Sequence, residues 1–214
     1  MARKQYAIIF LVFILLFGGL LGSLTAPVSG QTSNTNLVYL PTILNPPEPP
    51  VWVGPEGGSI ISIDVADSQP MTVYAGTWGS GVYKSTDGGK SWVWKRDGLA
   101  NHFINSIAVD PHNPKIAYAG TYTDKVYKTV NGGDSWFQSS TNIQDQAIVY
   151  SIVIDPIKSD KVFIGTRGVS NGGKPPWNGV LYRSTDEGSS WVPVLTNVGG
   201  SSEEDWAYTV TLHP

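Results

Sequence analysis

Ser85-Thr86-Asp87-Gly88-Gly89-Lys90-Ser91-Trp92 is the stretch that decides the fold, because the chain repeats it. Related stretches run from Thr129 to Trp136 and from Ser184 to Trp191, and all share the pattern Ser/Thr-x-Asp/Asn-x-Gly-x-Ser-Trp. The β-patterned segments on both sides predict that each copy is the tip of a β-hairpin. There the Asp or Asn side chain bonds backbone amides ahead of it, and the glycines take positive φ. The closing Trp is expected to cover its own hairpin with a large apolar ring.

A second repeated segment sets the length of the unit. Tyr74-Ala75-Gly76-Thr77 recurs as Tyr118–Thr121 and Phe163–Thr166, a period of about 45 residues. A unit of this length with four short strands is typical of a propeller blade. The predicted fold class is therefore all-β: a β-propeller of four-stranded antiparallel blades, with three repeats present and the ring incomplete.

The repeats predict the domain boundaries. A partial propeller is expected over 51–214, with repeats at about 54–98, 99–142 and 143–197 and the start of a fourth at 206–214. Thr209–Leu212 has the pattern of a first strand, and Val51–Val53 has that of a fourth strand without a box before it. Propellers have roughly 4 to 8 blades, so the chain is interpreted as the N-terminal part of a longer protein. The alternative is a three-unit protein that closes its ring by oligomerising.

The N-terminal sequence predicts export. Arg3 and Lys4 precede the apolar run Ala7–Leu24, and the small residues of Ala26–Gly30 suit signal-peptidase cleavage. Residues 1–30 are thus a signal peptide or, in the alternative, a membrane anchor formed by Ala7–Leu24. A Pro-rich linker is expected over 31–50. Either reading makes the protein secreted or extracytoplasmic.

Composition excludes several kinds of site. The 214 residues carry a net charge of −3 and lack Cys, which argues against nucleic-acid binding and excludes disulfides and thiolate metal sites. His102, His112 and His213 do not have the spacing of metal ligands. No cofactor and no metal are expected.

The repeated stretch resembles the Asp-box (BNR) repeat of β-propeller proteins such as sialidases, sortilin-type receptors, xyloglucanase-like glycosidases and photosystem II assembly factors. The resemblance implies that each box lies between the third and fourth strands of a blade, away from the ligand mouth. It also implies a structural role for the box residues, which are Ser85, Asp87, Gly89, Trp92, Asn131, Gly133, Trp136, Ser184, Asp186, Gly188 and Trp191.

In the families resembled, ligands bind at the opposite face, where second strands turn into third strands and blades connect. The candidate ligand-binding residues in those loops are Trp78, Tyr122, Arg167, Trp177, Glu204, Asp205 and Trp206. Aromatic rings beside carboxylates suit an extracellular glycan or protein ligand. The alternative is that these aromatic residues pack against their own loops.

No catalytic residue is assigned. A glycosidase needs two carboxylates that flank the scissile bond, and Glu203–Asp205 offers one. The resembled xyloglucanases carry an Asp in the loop after the second strand of the first blade, where this chain has Thr77-Trp78-Gly79. The predicted function is an exported binding or scaffold module that contacts a membrane only through its N-terminal segment and self-associates if expressed as this fragment. The alternative is the N-terminal part of a secreted glycoside hydrolase whose catalytic residues lie partly outside the chain.

Overall fold

The strands of this chain are short and are separated by turn-forming residues. The computed structural model describes residues 57–167, 179–198 and 209–212. All of these lie in one unit of the chain, Pro47–Pro214. In the described ranges the chain forms twelve β-strands and no helix. Apolar segments of two to seven residues, bounded by Gly, Pro, Asn, Asp and Ser, favour this arrangement.

The strands pair into three four-stranded antiparallel sheets, each made of consecutive strands. The first sheet contains β1 (Ser59–Val65), β2 (Val73–Trp78), β3 (Gly81–Ser85) and β4 (Val93–Trp94). The second contains β5 (Ile104–Val109), β6 (Ala117–Thr121), β7 (Val126–Thr129) and β8 (Phe137–Gln138). The third contains β9 (Ile148–Ile154), β10 (Val162–Arg167), β11 (Gly179–Ser184) and β12 (Val192–Val198). Strand order follows chain order in every sheet, which confirms the predicted propeller blades.

The antiparallel order sorts the connections onto two ends of each blade. Each box connects the third strand of its blade to the fourth, so that Ser85 ends β3 and Val93 begins β4. The end that carries the boxes and the β1–β2 type of loop is called the box face. The other end, with the β2–β3 type of turn and the links between blades, is called the loop face.

Glycine in the repeated Tyr-Ala-Gly-Thr segment allows neighbouring blades to approach each other. A Cβ on Gly76 would lie 2.6 Å from Cγ2 of Ile104, which belongs to the first strand of the next blade. A Cβ on Gly120 would lie 2.6 Å from Cγ1 of Val149 in the same way. Ile104 and Val149 are fully buried, so any larger residue at these glycines would overpack the blade interface.

The hydrophobic core consists of two clusters, one at each interface between blades. The first joins β2 and β3 to the second blade and includes Tyr74, Val82, Ile104, Val109 and Trp136. The second joins the second blade to the third and includes Tyr118, Val126, Val149, Ile154 and Trp191. Each blade therefore buries its apolar side chains against a neighbouring blade.

The first strand of the first blade is exposed where its counterparts are buried. Ile60 and Ile63 are 51% and 60% exposed, whereas the equivalent residues of the second blade, Ile104 and Ile107, are 0% and 7% exposed. The difference arises because the described chain places no blade ahead of the first one. This uncovered side of the first blade is called the open side.

Several predictions fall outside the described residues: the signal peptide or anchor over 1–30, the Pro-rich linker over 31–50, and Val51–Val53. Thr209–Leu212 is described and forms no strand, because the described chain offers it no neighbouring strand to bond. In the part of the chain that the structure describes, no helix is long and apolar enough to cross a membrane.

Candidate functional site

The first box is a turn closed by its own hydroxyl and carboxylate groups. Ser85 Oγ accepts hydrogen bonds from the N–H groups of Asp87 (3.2 Å) and Gly89 (2.8 Å) and donates one to Asp87 Oδ1 (2.7 Å). Asp87 accepts from the backbone N–H of Ser91 at 2.9 Å and from its hydroxyl at 2.6 Å. Gly88 and Gly89 have φ values of 73° and 91°, where a Cβ is disfavoured. The carboxylate thus bonds the amide ahead of it, as the sequence predicted.

The other two boxes repeat this bonding. In the second, Thr129 Oγ1 accepts from the N–H of Gly133 (2.9 Å) and donates to Asn131 Oδ1 (2.8 Å). Asn131 also donates from its amide nitrogen to Ser135 Oγ at 2.9 Å, which reverses the direction of the corresponding bond in the first box. In the third box Ser184 accepts from Gly188 N at 2.7 Å, and Asp186 accepts from Ser184 Oγ, Ser190 N and Ser190 Oγ at 2.7, 2.9 and 2.6 Å.

These hydrogen bonds stabilise the charged form of the box carboxylates. The hydroxyl and backbone N–H of Ser91 hold the pKa of Asp87 far below its usual range. Hydrogen bonds from the hydroxyl groups of Ser190 and Ser184, followed by the N–H of Ser190, lower the pKa of Asp186 to about 2. Both carboxylates are consequently ionised at neutral pH, and each accepts hydrogen bonds within its own turn.

The box Trp residues join neighbouring blades, which the sequence did not predict. Trp136 Nε1 donates to the carbonyl of Lys95 (3.0 Å) in the first blade, and Trp191 Nε1 donates to that of Ser139 (2.8 Å) in the second. Only Trp92, on the open side, bonds within its own box, from Nε1 to the carbonyl of Gly89. The rings of the second and third boxes are buried against the preceding blade, and the ring of Trp191 also lies over its own box, 3.4 Å from a Cβ built on Gly188.

The preceding blade also bonds the next box. Tyr118 Oη and Lys128 Nζ both donate to the carbonyl of Glu187 in the third box, at 2.8 Å each. Their counterparts in the first blade reach the second blade, where Tyr74 Oη donates to the carbonyl of Pro114 (2.8 Å) and Lys84 Nζ to that of Gly132 (3.1 Å). The box face is thus occupied by the joints that hold the blades together.

The loop face carries a cluster of three exposed aromatic side chains, called the aromatic cluster. Trp78 contacts Phe103 and Tyr122 edge to face, with ring centroids 5.0 and 5.2 Å apart. The three side chains are 41%, 42% and 39% exposed, in the order Trp78, Phe103 and Tyr122. Adjacent, half-exposed rings of this kind form an apolar surface that water covers unfavourably.

The repeat itself builds the aromatic cluster. Trp78 and Tyr122 occupy the same position in successive blades, directly after the Thr of Tyr-Ala-Gly-Thr, and Arg167 takes that position in the third blade. Phe103 lies between the first two because its backbone pairs with Trp78 and its carbonyl accepts the N–H of Tyr122 at 3.0 Å. Asn101 Oδ1 accepts the N–H of Phe103 at 2.8 Å and so fixes the end of the link.

Two of the candidate ligand-binding residues, Trp78 and Tyr122, are in direct contact, and Trp78 also contacts Phe103. Arg167 lies at the equivalent place on the third blade. The remaining candidates, Trp177, Glu204, Asp205 and Trp206, lie outside the described residues. Phe103 was not among the candidate residues predicted from the sequence, although the links between blades were assigned to this face. Its position directly before Ile104, the first residue of β5, could have indicated it.

Polar groups beside the aromatic cluster are already organised by bonds. Tyr127 Oη donates to Asp124 Oδ2, and burial, with this carboxylate next in effect, raises the pKa of Tyr127 to about 12. Asp145 accepts from Lys125 Nζ at 2.8 Å. Both carboxylates therefore already have partners within the chain.

Another exposed aromatic side chain lies at the outer edge of the first blade. Trp94 stacks on Tyr83 with centroids 5.8 Å apart, and the guanidinium of Arg96 lies 3.8 Å from the centre of the indole. Trp94 Nε1 donates to the carbonyl of Ser80 at 2.8 Å, which ties it to the β2–β3 turn that follows Trp78. A cation on one indole face favours structural packing of this residue.

Two of the clefts formed by the described residues lie on the box face. One of about 290 Å³ is bounded by the ends of β1, β5 and β9, and there Asp64 Oδ2 accepts the N–H of Val109 at 2.7 Å. Desolvation raises the pKa of Asp64. The other cleft, of about 200 Å³, lies between the first two boxes. Among the described residues no group of three or more His, Cys, Asp or Glu side chains is placed to hold a metal ion.

The sequence matches the family model described as Sortilin, neurotensin receptor 3 (Sortilin-Vps10) over residues 80–209. The chain belongs to the Sortilin-Vps10 family. The match begins in the β2–β3 turn of the first blade and runs through the second and third, so it covers more than half of this family member. By sequence, no curated protein matches the chain.

Solved structures of GH74 proteins share the propeller fold with this Sortilin-Vps10 family member. An ancestral GH74 enzyme is 23% identical with a TM-score of 0.56, over 70% of this chain and 19% of that one. The GH74 enzyme of Niastella koreensis is 21% identical with a TM-score of 0.50, over 61% and 20%. YCF48 bound to a D1 peptide is 17% identical with a TM-score of 0.49, over 65% and 42%. The chain thus spans about one fifth of the two GH74 proteins.

We expect Trp191→Ala to destabilise the protein by roughly 3–5 kcal/mol, since this ring is fully buried and leaves a cavity between blades. Trp92→Ala is the matched control, and because its ring is only half-buried we expect a loss of roughly 1 kcal/mol. Urea unfolding followed by circular dichroism measures both. Equal losses for the two variants would contradict the assignment of the box Trp to the joint between blades.

Acid should weaken the third box. The pKa of Asp186 is about 2 in the folded chain, and an ordinary Asp has a pKa of about 3.9. The stabilisation by the ionised carboxylate is therefore complete above about pH 4 and is lost as the pH falls towards 2. Asp186→Asn copies the second box and should lose less stability over this window, by on the order of 1 kcal/mol or less for so exposed a group.

Melting temperatures at pH 7, 4, 3 and 2 test this expectation. Asn131→Asp is the reciprocal control, because it adds a titrating carboxylate and should increase the loss of stability in acid. Parallel pH curves for the wild type and both variants would show that the box carboxylates do not couple to folding.

Proposed function

We propose that this protein is an exported β-propeller module that binds an extracellular glycan or protein ligand through its loop face. The single observation that supports this proposal is the aromatic cluster, in which Trp78, Phe103 and Tyr122 are in contact and each about 40% exposed. A large apolar surface on a folded domain that is not used for packing is typical of an interaction site.

The different use of side chains on the two faces supports the loop face as the binding surface. On the box face the polar side chains of the repeats are used in turns and in joints between blades, as with Asp87 and Lys128. On the loop face, side chains vary from blade to blade at a fixed backbone position, as Trp78, Tyr122 and Arg167 do. A rigid scaffold with variable loops at one end is the usual arrangement for binding.

The chemistry of the cluster fits a sugar or a peptide. Indole and phenyl faces pack against the apolar faces of sugar rings and against apolar side chains, and edge-to-face packing holds these rings in a defined geometry. Asn101 Nδ2, which donates to Thr123 Oγ1 at 3.2 Å, contributes polar groups at the rim. Trp177, Glu204, Asp205 and Trp206 belong to the same proposed surface by their sequence positions.

Export is part of the proposal and rests on the sequence of residues 1–30. A ligand outside the cytoplasm suits a module that is tethered or released by that segment and separated from it by the Pro-rich stretch. We also propose that this 214-residue chain self-associates, with the open side of the first blade in contact with a second copy.

The aromatic cluster is tested with Trp78→Ala and Phe103→Ala, and the matched control is Ile157→Ala, which removes a 71% exposed side chain from the opposite face. The probes are a panel of soluble plant and bacterial polysaccharides in affinity gels and a displayed random-peptide library. For a probe that the wild type retains, we expect cluster variants to bind at least about tenfold more weakly, equivalent to about 1.4 kcal/mol, and the control to bind normally. Undiminished binding by correctly folded cluster variants would exclude this surface.

The open side of the first blade is tested by sedimentation. Ile60, Ile63 and Val65 are 51%, 60% and 42% exposed, and burying them against a second molecule removes apolar surface from water. We expect residues 51–214 to sediment as oligomers or aggregates, and Ile60→Ser with Ile63→Ser to shift them towards monomer. A compact, stable monomer of the unsubstituted chain in analytical ultracentrifugation would contradict the proposal.

A further inference from the structure

The two joints between blades differ at one position in a way that changes their charge. In the joint between the second and third blades, Lys128 Nζ bonds both the carbonyl of Glu187 and its carboxylate, at 2.8 and 3.1 Å. In the preceding joint Lys84 takes the place of Lys128, and Gly132 takes that of Glu187. Lys84 Nζ bonds the carbonyl of Gly132 at 3.1 Å, but this residue has no carboxylate to offer.

A cleft lies where that carboxylate would be. Its volume is about 200 Å³, enough for a small organic molecule. The residues that line it are Lys84, Thr86, Ser91, Val93, Lys95, Asn131, Gly132 and Asp134. A Cβ built on Gly132 would lie 2.8 Å from Lys84 Nζ, which places the ammonium group directly beside the missing side chain.

The charges around the cleft are predominantly positive. Lys95 pairs with Asp134 at 2.5 Å, so the one acidic side chain in the lining already has a partner. Burial lowers the pKa of Lys84, and the like charge of Lys95 lowers it further. Asp134 acts in the opposite direction, and Lys115 adds a smaller lowering effect. The carboxylate of Asp87, beyond Ser91, is bonded within its own box. An anion in the cleft would relieve this repulsion.

We propose that the cleft between the first and second boxes is a binding site for a small carboxylate, whose oxygens pair with Lys84 Nζ in the position that Glu187 takes beside Lys128. Thr86 and Asn131 are polar groups at the rim, and Val93, which is 59% exposed, packs against the aliphatic part of the ligand. This site lies on the box face and goes beyond the proposed function of the loop face.

The chain itself provides the variant that fills the site. Gly132→Glu copies the third box, where Glu187 has a positive φ of 55°. Because Gly132 has a φ of 81°, the substitution strains the turn, and Lys84 Nζ has to move away from the new Cβ, so the response to ligand is compared with the variant's own baseline. The new carboxylate should reach Lys84 and exclude a soluble one. Lys84→Gln removes the ammonium group, and Lys128→Gln is the matched control because it alters the other joint only.

The experiment measures the melting temperature of the full chain in sodium acetate and sodium succinate against sodium chloride and sodium sulfate at equal ionic strength. We expect a saturable rise of one to a few degrees with the carboxylates, because a ligand that binds only the folded state stabilises it. The rise should be retained in Lys128→Gln and lost in Lys84→Gln and Gly132→Glu. The Cε proton signals of Lys84, assigned with Lys84→Gln, should shift with the same midpoint.

Three results would overturn the proposal. One is a carboxylate response that survives in a folded Lys84→Gln variant. Another is an equal response to sulfate, which would mean a site for any anion. The third is the absence of both a thermal and a spectral response up to about 50 mM acetate or succinate, because a dissociation constant above that concentration corresponds to a negligible binding free energy. None of these outcomes bears on the loop face, whose test uses other variants and probes.

Discussion

The hydrogen bond from a box indole to the preceding blade is the interaction on which the architecture depends. Among the described residues no strand ladder runs from one blade into the next. Blades are joined by side chains, turns and single backbone hydrogen bonds, such as that from Trp136 N to the carbonyl of Asp97. Trp136 and Trp191 bury their rings at these joints and satisfy their N–H groups with the carbonyls of Lys95 and Ser139. Lys84, Lys128 and Tyr118 of the earlier blades bond the later boxes in return. Each blade is therefore stable only beside a neighbour, as in other repeat proteins.

The joint between blades explains why certain residues recur in every repeat although they lie away from the proposed binding sites. The Ser and Asp of the box hold the turn in one shape, so that the Trp which follows enters the interface at a fixed angle. Gly76 and Gly120 complete the joint from the other side by letting the next first strand lie against the sheet. Such residues serve the scaffold, which leaves chemistry to positions where the repeats differ, such as Trp78 on the loop face and Gly132 in the second box.

Membership of the Sortilin-Vps10 family and the fold shared with GH74 enzymes describe the scaffold of this chain. They do not transfer a ligand, because the chain spans about one fifth of the GH74 proteins and the loops differ between blades even within this sequence. The aromatic cluster and the cleft between the first and second boxes are formed by particular side chains and depend on local differences between otherwise equivalent blades.

The sequence by itself determined the blade, the position of each box and the bonding of Asp87, because a turn and its flanking strands depend on residues close together in the chain. It also assigned Trp78 and Tyr122 to one face, since equivalent positions in a repeat lie at the same end. Only the tertiary structure decided that Trp136 and Trp191 bond the preceding blade, that Phe103 completes the aromatic cluster, and that Lys84 lacks the carboxylate that Lys128 has. These are contacts between residues 25 to 59 positions apart, and they depend on how closely two blades pack, a distance that no local pattern encodes.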